Sequence, residues 1–150
     1  MKTVGSMPVS ILVGVVCSAL SSAAPVGQYT IVADAGVVVD NKSGLTWQRD
    51  HSDGGLLPTE ANAYCSALNV GGFASGWRVP KKLELETLLS RDRMHPAIDP
   101  VAFPDTPRTW PFWTSTPFVG STDGQWAVDF DYGISNPSGA GATFWVRCVR

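Results

Sequence analysis

Two cysteines, Cys65 and Cys148, lie 83 positions apart in a 150-residue chain and set the strongest constraint on its fold. A third, Cys17, falls in an N-terminal segment that has the marks of an export signal. Lys2 supplies a positive start, Val9 to Leu20 is a short apolar run, and Ser21 and Ala23 are the small residues of a cleavage site. Residues 1–23 are read as a signal peptide and residues 24–150 as one domain. A cut after Ala24 would leave Pro25 beside the scissile bond, so cleavage is expected after Ala23. The apolar run is too short for a stable membrane-spanning helix, and no other segment is long and apolar enough. The weaker alternative is a lipoprotein with Cys17 lipidated, in which Gly14 and Val16 stand where a leucine and a small residue are expected.

An exported chain that keeps two cysteines is expected to join them. A zinc site would need more ligands at short spacing, and only His51 and His95 are left to help. A redox pair favours C-x-x-C, which is absent, and a catalytic thiol needs a base that nothing local supplies. The bridge, if formed, ties the first helix to the last strand.

Apolar residues make up 44% of the chain, enough for one core. Loss of Lys2 leaves ten basic against thirteen acidic residues, a net charge of −3. On that balance the chain gains little from long-range attraction to nucleic acid or anionic lipid, and an anionic partner would need a local basic patch.

Tyr29 to Asp50 reads as strand, strand, turn and strand, with the turn at Asp40-Asn41-Lys42-Ser43-Gly44. Thr59 is the expected N-cap of a first helix, in which Ala61, Tyr64, Cys65 and Leu68 form the apolar stripe. Pro80 opens a second helix with Leu85, Leu88 and Leu89 on its buried side. His95 to Phe112 is a proline-rich loop. Phe112 to Phe118 and Gly124 to Gly133 read as strands, Ile134 to Ala142 as a loop, and Thr143 to Arg150 as a terminal strand. The fold class is α+β with an antiparallel sheet.

The stretches DNKSGLTWQRD, EANAYCSALNVGGFASGWRVPKKLELETLL, FWTST and WAVDFDYG, with the closing VRCVR, resemble the Lcl C-terminal domain, found at the C-terminus of bacterial collagen-like adhesins. The resemblance runs from about Tyr29 to Arg150. It implies a C-type-lectin-like fold, shared with formylglycine-generating enzymes: two helices, a twisted antiparallel sheet, long loops and one disulfide from first helix to last strand. Cys65 and Cys148 match that pair. Adhesin members of the family bind sulfated polysaccharides. This chain has no collagen-like repeats, and a fold shared so widely does not give a function by itself.

The resemblance therefore implies a secreted or periplasmic binding module for a glycan or a surface protein, with no chemistry. Loops 91–112 and 117–141 form the expected binding face. Its candidate residues are Trp110, Arg108, Tyr132, Asp129 and Asp131, because tryptophan and tyrosine faces stack on sugar rings while arginine and carboxylate bond their hydroxyls. A second candidate is the basic corner of Arg78 and Lys81, against which stands the reading of Arg78 as a structural hydrogen-bonder and Trp77 as core. Asp123, Asp129 and Asp131 offer oxygens to calcium, but the loop and strand motifs of calcium-dependent lectins are missing, so no cofactor or metal is expected. An enzyme related to the formylglycine-generating fold is the alternative from another class. It would need a free thiol or a bound metal. A purely structural envelope role is the third reading. Nothing in the sequence sets an oligomeric state.

Overall fold

The computed structural model describes residues 24–150, so the expected signal peptide, with Cys17, lies outside the described residues. The antiparallel strands divide into two three-stranded sheets. The first holds β1 (Tyr29–Val32), β2 (Val37–Asp40) and β3 (Thr46–Gln48) in that order. The second holds β4 (Phe112–Pro117), β5 (Gln125–Asp129) and β6 (Ile134–Ser138), also in that order. Two helices, α1 (Pro58–Ala67) and α2 (Lys82–Glu86), come between them in the chain. The α+β class expected from the sequence is what the structure holds.

Local chemistry explains the element ends. The β2–β3 turn closes on Asp40, whose carboxylate accepts the Lys42 N–H at 3.0 Å and the Ser43 hydroxyl at 2.6 Å. Gly44 follows at φ 74°, a conformation a Cβ would strain. Helix α1 begins one residue before the expected cap. Leu57 is the N-cap, Pro58 takes the first helical position that its missing N–H favours, and Glu60 accepts the Leu57 N–H at 2.8 Å. Thr59 therefore lies inside the helix. The stripe of α1 is as expected, with Ala61 and Cys65 buried. Helix α2 is a single short turn that buries Leu85, and Leu88 beyond it is buried too.

Three further segments differ from the sequence expectation. Ile134–Ser138, expected as a loop, pairs with β5 from Asp129↔Ile134 to Gln125↔Ser138. Pro137 is tolerated there because β6 is the outer strand of its sheet. The strand expected to run through Asp131 stops at Asp129, where that residue's carboxylate accepts the Asp131 N–H at 2.7 Å and turns the chain. Thr143 to Arg150 forms no continuous ladder. It pairs in turn with different partners: Phe144 with Leu56, Trp145 with Phe112, and Val149 with both Trp47 and Arg78.

That C-terminal segment joins the two sheets. Gln48 donates its N–H to the Cys148 carbonyl at 2.9 Å, and Trp113 donates to Trp145 at 2.9 Å. Lying between layers, Val146, Arg147, Cys148 and Val149 are all buried, so alternation of inside and outside is lost. Cys148 is bonded to Cys65 of α1, with the Cα atoms 5.5 Å apart. Arg147 is fully buried against the rings of Phe103 (4.6 Å) and Phe112 (5.3 Å). It donates to the Asp50 carbonyl and the Thr106 hydroxyl, both at 3.1 Å. Burial pushes its pKa down to about 9, which leaves it charged at neutral pH.

The proline-rich loop is held as part of the core. Ile98, Ala102 and Phe103 are buried, and Asp99 accepts the Val101 N–H at 2.8 Å. Arg49 donates to the Val101 carbonyl at 3.3 Å, and His51 Nε2 lies 2.9 Å from the Asp105 carbonyl.

The Cys65–Cys148 bridge closes a loop of 83 residues. Chain entropy assigns such a closure about 4.5 kcal/mol of stability before any strain. Urea unfolding with and without a reductant measures it. The midpoint should fall sharply on reduction, and an unchanged midpoint would contradict the stapling role.

Candidate functional site

The turn from β5 to β6 gathers a charged cluster drawn from distant parts of the chain. Asp131 lies in that turn with its side chain only 10% exposed. Its Oδ1 accepts from Arg108 Nε at 3.0 Å and from His95 Nδ1 at 3.0 Å. Backbone bonds fix the frame around it. The His95 N–H donates to the Asp131 carbonyl at 3.0 Å, Ala97 donates to Phe130, and Gly133 at φ 70° donates to the Asp129 carbonyl. Tyr132, 55% exposed, follows in the chain and meets the His95 ring edge-on at 5.1 Å. A buried carboxylate thus orients a guanidinium and an imidazole beside an open phenol ring.

A hollow of about 500 Å³ adjoins this cluster, with Arg91, Arg93, Met94 and Tyr132 among its lining residues. A larger hollow of about 920 Å³ lies on the other side of the Glu86–Arg91 segment.

The candidate residues fall into separate groups. Arg108, Asp131 and Tyr132 come together. Asp129 does not join them, because its carboxylate accepts the N–H groups of Asp131 and Tyr132 (2.7 and 3.4 Å) and shapes the turn. Trp110 is 57% exposed on the same loop as Arg108. Arg78 stands elsewhere, at the start of α2, gripped by Glu84 through two bonds of 2.7 Å. The bonds from Arg78 hold the Glu84 carboxyl below its ordinary range. Glu84 also accepts the Lys81 N–H at 2.7 Å. Trp77 is buried and donates to the Phe73 carbonyl at 3.1 Å.

The sequence reading did not place His95 at the site. His95 and Asp131 are 36 residues apart and no local pattern links them. The available signals were the position of His95 before a proline in a long loop and the need of a buried Asp131 for more than one donor.

The Lcl C-terminal domain model matches residues 36–150, more than half of the chain. The chain belongs to the Lcl C-terminal domain family. The match covers both sheets except β1, both helices, both bridged cysteines and the whole Asp131 cluster. No curated protein matches the chain. Membership of the Lcl C-terminal domain family, together with the disulfide, fits an extracellular or envelope binding module. No helix among the described residues is long and apolar enough to cross a membrane.

The asymmetry of the cluster is measurable. Asp131→Ala leaves Arg108 and His95 without their shared acceptor and should lower the unfolding free energy by about 1–3 kcal/mol in urea titrations. Arg108→Ala removes a side chain that is 59% exposed and should cost well under about 1 kcal/mol. Equal losses from both variants would show that Asp131 does not organise the cluster.

Proposed function

We propose that this Lcl C-terminal domain is a secreted or periplasmic binding module that recognises a glycan, without catalysis, on the face built around Asp131. The observation that carries the reading is the ordered set of Arg108, His95 and Asp131 beside the exposed Tyr132 at the rim of a hollow lined by Arg91 and Arg93. Fixed donors next to an aromatic face suit a sugar, whose C–H face stacks on the ring while its hydroxyls meet the charged groups. Trp110 extends the face as a second exposed aromatic.

Two features support binding over chemistry. Both described cysteines are bonded to each other, so neither sulfur offers the thiol that oxidase relatives of the fold would use. The carboxylates also have protein partners: Asp129 serves its own turn, Asp131 serves Arg108 and His95, and Asp123 accepts from Ser121 at 2.9 Å. Calcium is accordingly no part of the proposal.

A glycan array probed with the exported protein tests it. Retention of one glycan class should fall about tenfold or more with Arg108→Ala or Tyr132→Ala, and less with Arg78→Ala. If Arg78→Ala alone weakens retention, the face is misplaced. A screen that retains no glycan, or a reactive thiol titrated from Cys65 or Cys148 in unreduced protein, would overturn the reading.

A further inference from the structure

The two hollows are not separate. Glu86, Leu89, Ser90 and Arg91 line both, so they meet across one short ridge. The ridge is firmly held: the Ser135 hydroxyl donates to Glu86 at 2.6 Å, the Ser90 N–H donates to the Ala97 carbonyl at 2.9 Å, and Leu88 is buried beneath. Each hollow carries one tyrosine, Tyr29 in the larger and Tyr132 in the smaller. Burial, then the charges of Asp40 and Asp99, raise the Tyr29 phenol far above its ordinary pKa, so it remains a hydroxyl donor at any physiological pH.

The charges of the two arms differ in sign. The larger hollow has four carboxylates, those of Asp40, Glu86, Asp92 and Asp99, against Lys42, Arg91 and the α-amino group that cleavage after Ala23 would leave on Ala24. The smaller has Arg91 and Arg93 against Glu86, and Arg108 beside it is paired with Asp131. An anionic unit is favoured in the second arm and repelled from the first. The first arm offers the amide of Gln28 and carboxylates around a tyrosine, while the hydroxyls of Ser43, Thr87 and Ser90 donate to Asp40, the Glu84 carbonyl and Asp92 and face a ligand as acceptors. That is the equipment for a polyhydroxylated ring.

Building on the glycan reading above, we infer that the site is one bent, two-armed cleft for an extended oligosaccharide. A neutral, hydroxyl-rich unit lies in the Tyr29 arm and an acidic unit in the Tyr132 arm. The ligand is an internal stretch of a mixed neutral and acidic polymer, and a uniformly acidic chain fits it poorly. Two linked subsites make affinity grow with chain length until both arms are filled.

Calorimetry on the exported protein tests this with two ladders of two-, four- and six-unit chains. One alternates uronic acid with N-acetylhexosamine, and the other is oligogalacturonic acid. The four-unit alternating chain should bind about tenfold or more tighter than the two-unit chain, with little gained at six units. Thr87→Trp, which fills the exposed side of the larger hollow, should bring the four-unit affinity down to that of the two-unit chain. Asp92→Arg should raise the affinity for four-unit oligogalacturonic acid severalfold, which keeps a test available should the tryptophan variant misfold. Equal affinity at all lengths, still lost with Arg108→Ala, would overturn the two-armed cleft and leave the glycan reading standing. Wild-type protein that prefers oligogalacturonic acid would overturn the division of charge. Failure of both ladders, with glycans retained on the array, would overturn the proposed ligand class alone. Capture of a peptide in place of any glycan would overturn both readings.

Discussion

A single C-terminal segment, covalently fixed at Cys148, is the member on which the architecture depends. Each three-stranded sheet has an apolar face that must be buried against another element. Residues 144–150 touch both, pairing at Val149 with Trp47 and Arg78 and at Trp145 with Phe112. The bond to Cys65 adds α1 to the same junction. The position of Arg147 follows from this. A segment enclosed on all sides must bury what it carries, and here that includes a guanidinium. Aromatic faces, a carbonyl and the Thr106 hydroxyl meet its charge, and no carboxylate among the described residues pairs with it. Replacing such a group by a well-packed apolar side chain can be close to neutral in stability.

The same junction positions the face proposed for binding. Phe103 and Ile98 anchor the proline-rich loop in the core, and Arg147 and His51 hold its later residues. The loop is thereby stiff enough to present His95 and Arg108 to Asp131. On the other strand pair, Asp129 caps its own turn and sets Asp131 and Tyr132 at their angle. Two aspartates two positions apart have different tasks, one inside the turn and one facing outward to a guanidinium and an imidazole. A pre-ordered arrangement of this kind limits the entropy lost when a ligand binds.

Local chemistry was readable from the sequence, and long-range pairing was not. The turn at Asp40, the α1 stripe with Cys65 on its buried side, the burial of Leu85 in α2 and the exposure of Trp110 each follow from residues within a few positions, whereas α2 starts at Lys82, past Pro80, and ends before Leu88 and Leu89. The N-cap was placed two residues late because the preference of Pro58 for a first helical position outweighed the hydroxyl of Thr59. Ile134–Ser138 read as a loop because serine, asparagine and proline are poor strand formers, yet pairing with β5 settles the conformation. Thr143 to Arg150 read as an ordinary strand because period-two alternation says nothing about partners on both faces. The family resemblance supplied what periodicity could not, namely which distant segments belong together. It did not bring His95 to Asp131, since that contact rests on the path of an irregular loop.

The face built on Asp131 is best tested by a nitrogen-15 NMR titration of residues 24–150 with whichever glycan the array retains. The account predicts that shifts concentrate at residues 91–95, Arg108 and Tyr132, with the Ser43 and Thr87 amides joining only for longer chains. Shifts centred on Arg78 and Lys81, with the Tyr132 amide unmoved at saturation, would contradict it.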